Sequence, residues 1–483
     1  MKATLYNALE TFGQQHLLDF WDELNGQQQG SLAAEIGGID FDEIASLYEE
    51  YKRNRRAEEV RAPAERAGAA PSFRLGDPEN RFSPEEARRR GAEALRAGRV
   101  GVGLPAGGQG TRLGFKHPKG MYPIGPVSKN SLFQILVEKI LAASRRYGGG
   151  APIPLYLMTS PKTDAETRDF LARHDRFGLP EDDLTIICQG TMPAVDAATG
   201  KVLLADRDRV ALSPDGHGGM LAALARHGCL DDLRRRGVEH LFYLQVDNPL
   251  VEICSPEFLG YHLLSGSEMS TEVVAKRTPL DRVGNVVEVE GRLQVVEYSD
   301  LPKRVAERRN ADGSLLLSAG SIAVHAINVA FLERMAARAD ALPFHFARKK
   351  VQCIKPGSAR PLAEKVEVVQ FERFIFDLIP AAQNAIVVEV DRERHFAPLK
   401  SGARRGWVSR LLKSTGLSRE DEDTPETVRA QMVALHTGWL RRAGAEVAEG
   451  VAVEISPLFA LDEADLAEKI PPQTRVSEPA YFS

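Results

Sequence analysis

The sequence predicts an α/β fold: a mixed, mostly parallel sheet flanked by helices, with a helical N-terminal lobe and a small α+β C-terminal domain. From about residue 96 to 395, short apolar runs alternate with helical segments, the pattern of a parallel sheet covered on both faces. The 43% of hydrophobic residues among 483 positions supplies one sizeable core and one or two small ones. A glycine-rich turn directly after the first apolar run belongs at a strand's carboxyl end, where such sheets bind ligands. These observations divide the chain into 1–95, 96–395 and 396–483.

Residues 5–52 read as amphipathic helices, with Leu17, Leu18, Phe20, Trp21 and Leu24 on one recurring face and Ile44, Leu47 and Tyr48 on another. Residues 53–80, rich in Arg, Ala, Glu and Pro, read as a solvated connector or exposed helix. Arg99–Leu104 has the β-branching of a short buried strand. Leu155–Met158, Leu184–Cys188, Leu241–Gln245 and Ala385–Glu389 follow as further strands, and Leu132–Arg145 as a helix. The loops 104–119, 189–193 and 247–249 are expected to converge at the carboxyl ends. Beyond Lys400 the chain reads as loops, a helix over Pro425–Ala443 and short strands near Ala452–Ile455, and no internal repeat is evident.

The formal charge of -5 gives no global basic field, which disfavours nucleic acid as a partner. Cys188, Cys229, Cys254 and Cys353 lie far apart with no C-x-x-C spacing, so buried free thiols in a reducing compartment are expected. No apolar stretch approaches a bilayer span and the start lacks a secretory hydrophobic segment, so the reading is cytoplasmic, with no membrane partner. Whether the chain acts as a monomer or a homodimer stays open.

The most specific segment runs from Leu104 through Pro105, Ala106, Gly107, Gly108, Gln109, Gly110 and Thr111 to Arg112, then on to Lys119. Gly107, Gly108, Gly110 and Gly114 allow positive φ and remove Cβ atoms that would hold backbone amides away from phosphates or a base. Arg112 offers a planar fork of donors, and Lys119, behind Pro118, a mobile point charge. The pair suits a polyphosphate. An ATPase phosphate loop is excluded, because Gly110 is followed by Thr111 and Arg112 rather than Lys-Ser or Lys-Thr. The dinucleotide fingerprint is disfavoured by the G-x-G-x-x-x-G spacing of Gly108, Gly110 and Gly114.

Gly107 to Gly114 and Pro118-Lys119-Gly120-Met121-Tyr122 resemble the signature of eukaryotic-type sugar-nucleotide pyrophosphorylases, most closely the UDP-N-acetylhexosamine branch. Further matches follow in order: Gln189-Gly190-Thr191-Met192-Pro193, Pro214 to Gly219, Val246-Asp247-Asn248, Val295 to Tyr298, Phe374 to Asp377 and Phe396 to Lys400. The resemblance implies a Rossmann-like sheet of the GT-A type and a uridylyltransferase using UTP and a sugar 1-phosphate with Mg2+ or Mn2+. It implies that Arg112, Lys119 and Lys400 serve the phosphates and Asp247 the metal. Leu104 to Gly108, Gly110, Thr111, Gln189 and Gly216 would hold the nucleotide, and His217, Gly284, Glu297 and Ser321 the sugar, with Phe374 and Phe376 as an apolar wall.

Plainer readings stand beside these roles. Asp247, after an apolar run, could cap a turn; Gln189 could cap its loop; Pro214-Asp215-Gly216 is a turn sequence in its own right. Lys400 could be a surface lysine and Glu297 a solvated carboxylate. The two phenylalanines, alternating along a strand, could be core. The chain also departs from its branch. Ser321 and His217 stand where the N-acetylhexosamine enzymes carry asparagines, and Gln370 replaces a lysine, for which Lys365 could compensate. The substrate expectation is therefore N-acetylglucosamine 1-phosphate first, glucose 1-phosphate or a broad set of sugars second, and a non-catalytic UDP-sugar sensor as the reading from another class.

Overall fold

The computed structural model describes every residue except 57–61, 339, 358–363, 403–422 and 472. Its backbone divides into two units. One comprises Met1–Pro63, Gln189–Ala222 and Asp340–Asp377; the other comprises Ala64–Cys188, Ala223–Ala339 and Leu378–Ser483.

The first unit gathers three segments because none can bury its apolar face alone. Helices Lys2–Glu10, Gly26–Gly37 and Phe41–Arg56 contribute Leu32, Ile36, Ile44 and Leu47, and Leu17 and Trp21 come from the 3-10 turns between them. Val195, Val202, Val369 and Phe371 complete that core. The last two lie on an antiparallel ribbon, His345–Cys353 with Glu364–Glu372, to which Val195–Asp196 adds a third strand.

The second unit is built on an eleven-stranded sheet. Its strands are β1 (Gly68–Ala69), β2 (Ser72–Arg74), β3 (Val100–Pro105), β4 (Leu155–Thr159), β5 (Leu184–Cys188), β6 (His240–Tyr243), β7 (Met269–Ala275), β8 (Gly284–Val289), β9 (Arg292–Val296), β10 (Ala319–Asn328) and β11 (Ala385–Val390). The order is β2-β11-β7-β10-β6-β3-β4-β5. Along this path all neighbours are parallel except at β10, which runs antiparallel to both β7 and β6; off the path, β8 pairs antiparallel with β1, β9 and β10. β3, β4 and β6 are fully buried, which is why they read as unbroken apolar runs. Helix Leu132–Arg146 starts where the Ser131 hydroxyl accepts from Gln134 N–H at 3.1 Å, and it lays Phe133, Leu136, Val137 and Ile140 into the sheet's core. Each such side chain contributes about 1.5–3 kcal/mol by leaving water.

The C-terminal part carries helix Pro425–Arg442 behind a Thr424 capping box, and two short parallel strand pairs around Leu440, Val453, Ile455 and Leu466.

Two expectations are corrected. The stretch 53–80 is more than a solvated connector: β2 pairs in parallel with β11, and Phe73 stacks on Tyr261 at 5.0 Å. One aromatic ring among charged residues is enough for an edge strand, and composition averages it away. Phe374 and Phe376 do not alternate along a strand, since the ribbon ends at Glu372 and a 3-10 turn begins at Ile375. Of the loops beyond Lys400, residues 403–422 lie outside the described residues.

Candidate active site

In the second unit, β3 ends at Pro105 and delivers the glycine loop to the carboxyl end of the sheet. Leu104, Pro105 and Ala106 are buried in the strand and its exit, where Ala106 N–H donates to Met158 O at 2.7 Å. The loop closes on itself through Lys119 N–H to Gly108 O at 3.0 Å and Gly110 N–H to His117 O at 2.9 Å. Ser160 Oγ donates to Gly107 O at 2.8 Å, tying the loop to the end of β4. Among the described residues, no acceptor meets the N–H groups of Gly107 and Gly108, so these two donors remain for an anion. The glycines serve different needs from those expected. Positive φ falls on Gly114 (71°), whereas a Cβ at Gly110 would meet the Phe115 ring at 2.8 Å and one at Gly108 would meet nothing.

Arg112 is exposed on a 3-10 turn that also holds Gly110 and Thr111. Lys119 is aimed inward. Gly120 makes this possible, because it lies flat on the buried Phe133, whose ring a Cβ there would meet at 2.2 Å. Lys119 Nζ reaches Asp247 Oδ2 at 3.3 Å, with only 20% and 18% of the two side chains exposed. Asp247 lies in the turn after β6. Its carbonyl accepts from Leu399 N–H at 2.8 Å, and the next residue is Lys400, whose ammonium lies 5.7 Å from the Phe396 ring centre. Gly402 N–H donates to Arg112 O at 2.9 Å. Thus Arg112, Lys119, Asp247 and Lys400, up to 288 positions apart in the sequence, share one end of one sheet. No histidine base stands among them, and the described residues hold no cluster of three or more His, Cys, Asp or Glu able to cage a metal. A lone carboxylate among cations fits Mg2+, which is commonly held by one or two carboxylates, waters and substrate phosphates.

The same unit brings three expected sugar residues together. Gly284 on β8 pairs with Ser321 on β10. A Cβ on Gly284 would meet Val295 Cγ1 at 2.7 Å, Glu297 Oε1 at 3.2 Å and Ser321 Cβ at 3.9 Å, so Glu297 reaches over a surface only glycine leaves open.

The remaining candidates belong to the first unit. Gln189 is 7% exposed, and its amide faces Asp215 Oδ1 at 3.4 Å. Gly216 takes φ 87° where a Cβ would strike Arg373 O at 2.4 Å, so the turn requires glycine. His217 stacks on Phe374, with centroids 5.1 Å apart, and its Nδ1 faces Ile375 N–H at 3.4 Å. Phe376 lies 5.1 Å from Phe374. His345 completes this aromatic cluster at 4.4 Å from Phe374 and bonds Asp377 at 2.8 Å. His345 escaped the sequence reading because only the ribbon's end, where it pairs with Glu372, brings it beside the Phe-x-Phe pair; Arg373, though it precedes Phe374, gains its place only by packing its backbone against Gly216. Lys365 does not stand in for Gln370: an odd separation along one strand puts them on opposite faces, about 16 Å apart along the strand.

The model of the family described as UTP–glucose-1-phosphate uridylyltransferase matches residues 80–412. The chain is 37% identical over 456 residues to human UDP-N-acetylhexosamine pyrophosphorylase-like protein 1, covering 90% of this chain and 85% of that one. It is 36% identical over 373 residues to the UDP-N-acetylglucosamine pyrophosphorylase of Saccharomyces cerevisiae, 76% of this chain and 75% of that one. The crystal structure of the uridine diphosphate N-acetylglucosamine pyrophosphorylase from Trypanosoma brucei superposes with a TM-score of 0.80 at 24% identity, over 99% of this chain and 98% of that one.

Proposed function

This chain belongs to the UTP–glucose-1-phosphate uridylyltransferase family, and from that premise we propose that it joins UTP to N-acetylglucosamine 1-phosphate, releasing pyrophosphate. The observation that carries the reading is the inward Lys119 beside Asp247 under a glycine loop with two unused amides. A sugar 1-phosphate loses its second proton near pH 6, about as other phosphomonoesters do, and is mostly dianionic at pH 7. It needs no general base. Its oxygen forms a bond to the α-phosphorus of UTP in line with the departing oxygen, and pyrophosphate leaves with the electron pair of the broken bond.

The barrier is the approach of two polyanions and the charge spread over the phosphoryl oxygens. In this reading Lys119 and the loop amides hold the triphosphate, Arg112 covers it from the loop's outer turn, and Lys400 meets the incoming phosphate. Asp247 would hold a divalent cation, whose role when bound is to neutralise phosphate charge. Glu297 is the natural acceptor for sugar hydroxyls over Gly284, and Ser321 sets the room beside it. Gln189, Gly216 and His217 carry the roles in base and sugar selection that the resemblance assigns them. The four cysteines, three of them buried and none in a disulfide, support a reducing, cytoplasmic setting. No helix among the described residues is long and apolar enough to cross a membrane.

A second reading, glucose 1-phosphate, is favoured by Ser321 and His217, which shorten or replace amide donors at the expected sugar positions. Purified protein assayed for pyrophosphate release with UTP and a panel of sugar 1-phosphates separates the two. N-acetylglucosamine 1-phosphate should give the highest kcat/KM; a glucose 1-phosphate advantage of about tenfold, some 1.4 kcal/mol, would reverse the assignment. Absence of pyrophosphate release with every sugar leaves a UDP-sugar sensor.

A further inference from the structure

The Val246-Asp247-Asn248 motif contains a residue to which the chemistry above gives no task. Asn248 is 2% exposed, yet every polar atom of its side chain is engaged. Its Oδ1 accepts from Ala397 N–H at 3.1 Å and from Leu250 N–H at 3.2 Å, and its Nδ2 donates to His395 O at 2.7 Å. The amide's orientation follows from chemistry, since a flipped group would press an NH2 against two N–H donors. In the same turn, Lys139 donates to Pro249 O at 2.7 Å and Val251 O at 2.8 Å. Its ammonium is spent on two carbonyls that a neutral donor could satisfy, an arrangement whose evident result is to hold residues 249–251 still.

The Asn248 bonds join two stretches of chain 147 and 149 positions apart in sequence. Residue 247 carries the carboxylate; residue 400 carries the lysine. Between them run the Asn248 clamp to 395 and 397 and the backbone bond from Leu399 to Asp247. We propose that Asn248 is a positioning residue for the transfer reaction, fastening the turn that bears Asp247 to the segment that bears Lys400, with Lys139 bracing that turn through its bonds to Pro249 and Val251. The inference rests on the proposed roles of Asp247 and Lys400. Asn248 itself touches no substrate. Its effect reaches the chemistry through the register of one negative and one positive group, where a displacement of about 1 Å can cost on the order of a hundredfold in rate.

The test compares Asn248→Ala, Lys139→Met and Asp247→Ala in the full-length protein. It measures Mn2+ binding in the presence of UTP by electron paramagnetic resonance, UTP binding in EDTA by calorimetry, and kcat. Asn248→Ala should raise the half-saturating Mn2+ concentration about tenfold and lower kcat about thirtyfold, while UTP affinity in EDTA stays within about threefold because the glycine loop is untouched. A merely structural role would move all three together or none. Mn2+ demand and kcat both within about threefold of the parent overturn the proposal. If Asn248→Ala does not fold by circular dichroism, Lys139→Met decides: shifts of about threefold or more in the same two quantities support the clamp, and smaller ones overturn it. Asp247→Ala separates the layers. If it leaves Mn2+ binding unchanged, the metal reading fails and the proposal with it; if it abolishes Mn2+ binding while Asn248→Ala does not weaken it, the clamp alone fails.

Discussion

Lys119→Ala isolates the charge on which the proposed chemistry depends most. The ammonium lies 3.3 Å from Asp247 Oδ2, with about four-fifths of both side chains buried. Removing it has two effects of opposite sign. One cation is lost from around the phosphoryl group, which costs about 2–4 kcal/mol of transition-state stabilisation. At about 1.36 kcal/mol per decade that is a fall in kcat of roughly 30- to 1000-fold, with a central value near a hundred. At the same time Asp247 loses a counter-charge whose gross Coulomb attraction at 3.3 Å and an effective dielectric of 20 is about 5 kcal/mol, an upper bound on the net effect. A carboxylate released from that partner should hold a divalent cation at lower Mg2+ concentration, not higher. The fold should tolerate the change, because the Lys119 N–H bond to Gly108 and the packing of Gly120 on Phe133 involve no part of the removed side chain. Initial rates of pyrophosphate release across a Mg2+ titration, with Tm as control, read all of this. A kcat within about threefold of the parent, or a Mg2+ requirement that rises as kcat falls, would falsify the role given to Lys119.

Three further outcomes are expected. Gly216→Ala forces a Cβ to 2.4 Å from the Arg373 carbonyl at φ 87°, so calorimetry should show a destabilisation of about 2–4 kcal/mol from left-handed backbone and overpacking together; an unchanged Tm contradicts the geometry. Glu272, fully buried on β7 with neither carboxylate oxygen partnered, is pushed by desolvation up to about 8 from 4.5. Because its folded value is raised, the stability it contributes is present below about pH 4.5 and is lost as pH rises towards 8. Glu272→Gln should therefore gain on the parent across that window, by a few kcal/mol at about 1.36 per unit, and denaturant melts showing the same difference at pH 5 and pH 8.5 refute it. Glu297→Gln should raise the KM for the sugar 1-phosphate about tenfold with little change in UTP binding; equal losses for both substrates would place Glu297 in a structural role instead.

Much of the sheet was legible because parallel strands buried on both faces leave an unbroken apolar trace. Leu184–Cys188 agrees to the residue, and the strands at 100–105, 155–159, 240–243 and 385–390 fall within one or two positions. β7, β8, β9 and β10 left no such trace. β7 carries Ser270, Thr271 and Glu272 into the interior, β8 interrupts its buried valines with Asn285 and Glu288, and β9 is intermediate to exposed. The site divides along the same line. The glycine loop announced itself as a contiguous motif, and Asp247 followed an apolar run. Lys400, Glu297 and Ser321 had no local signature and were reached only through the family resemblance, because their meaning lies in what the sheet sets beside them.

By itself the sequence pointed to a polyphosphate ligand, through a glycine turn followed by Arg112 and Lys119, while the reaction class came from its resemblance to a known family. It also determined the strand–helix alternation, because burial imposes a period on the chain. Tertiary structure decided which way Lys119 faces, through a glycine laid against Phe133 more than ten residues on, and which opposite charge it meets, 128 positions away. It alone decided that Asn248 ties two distant stretches together. A side chain's polarity is a local property of the chain, but its partner is fixed only when remote backbone folds to within 3 or 4 Å of it.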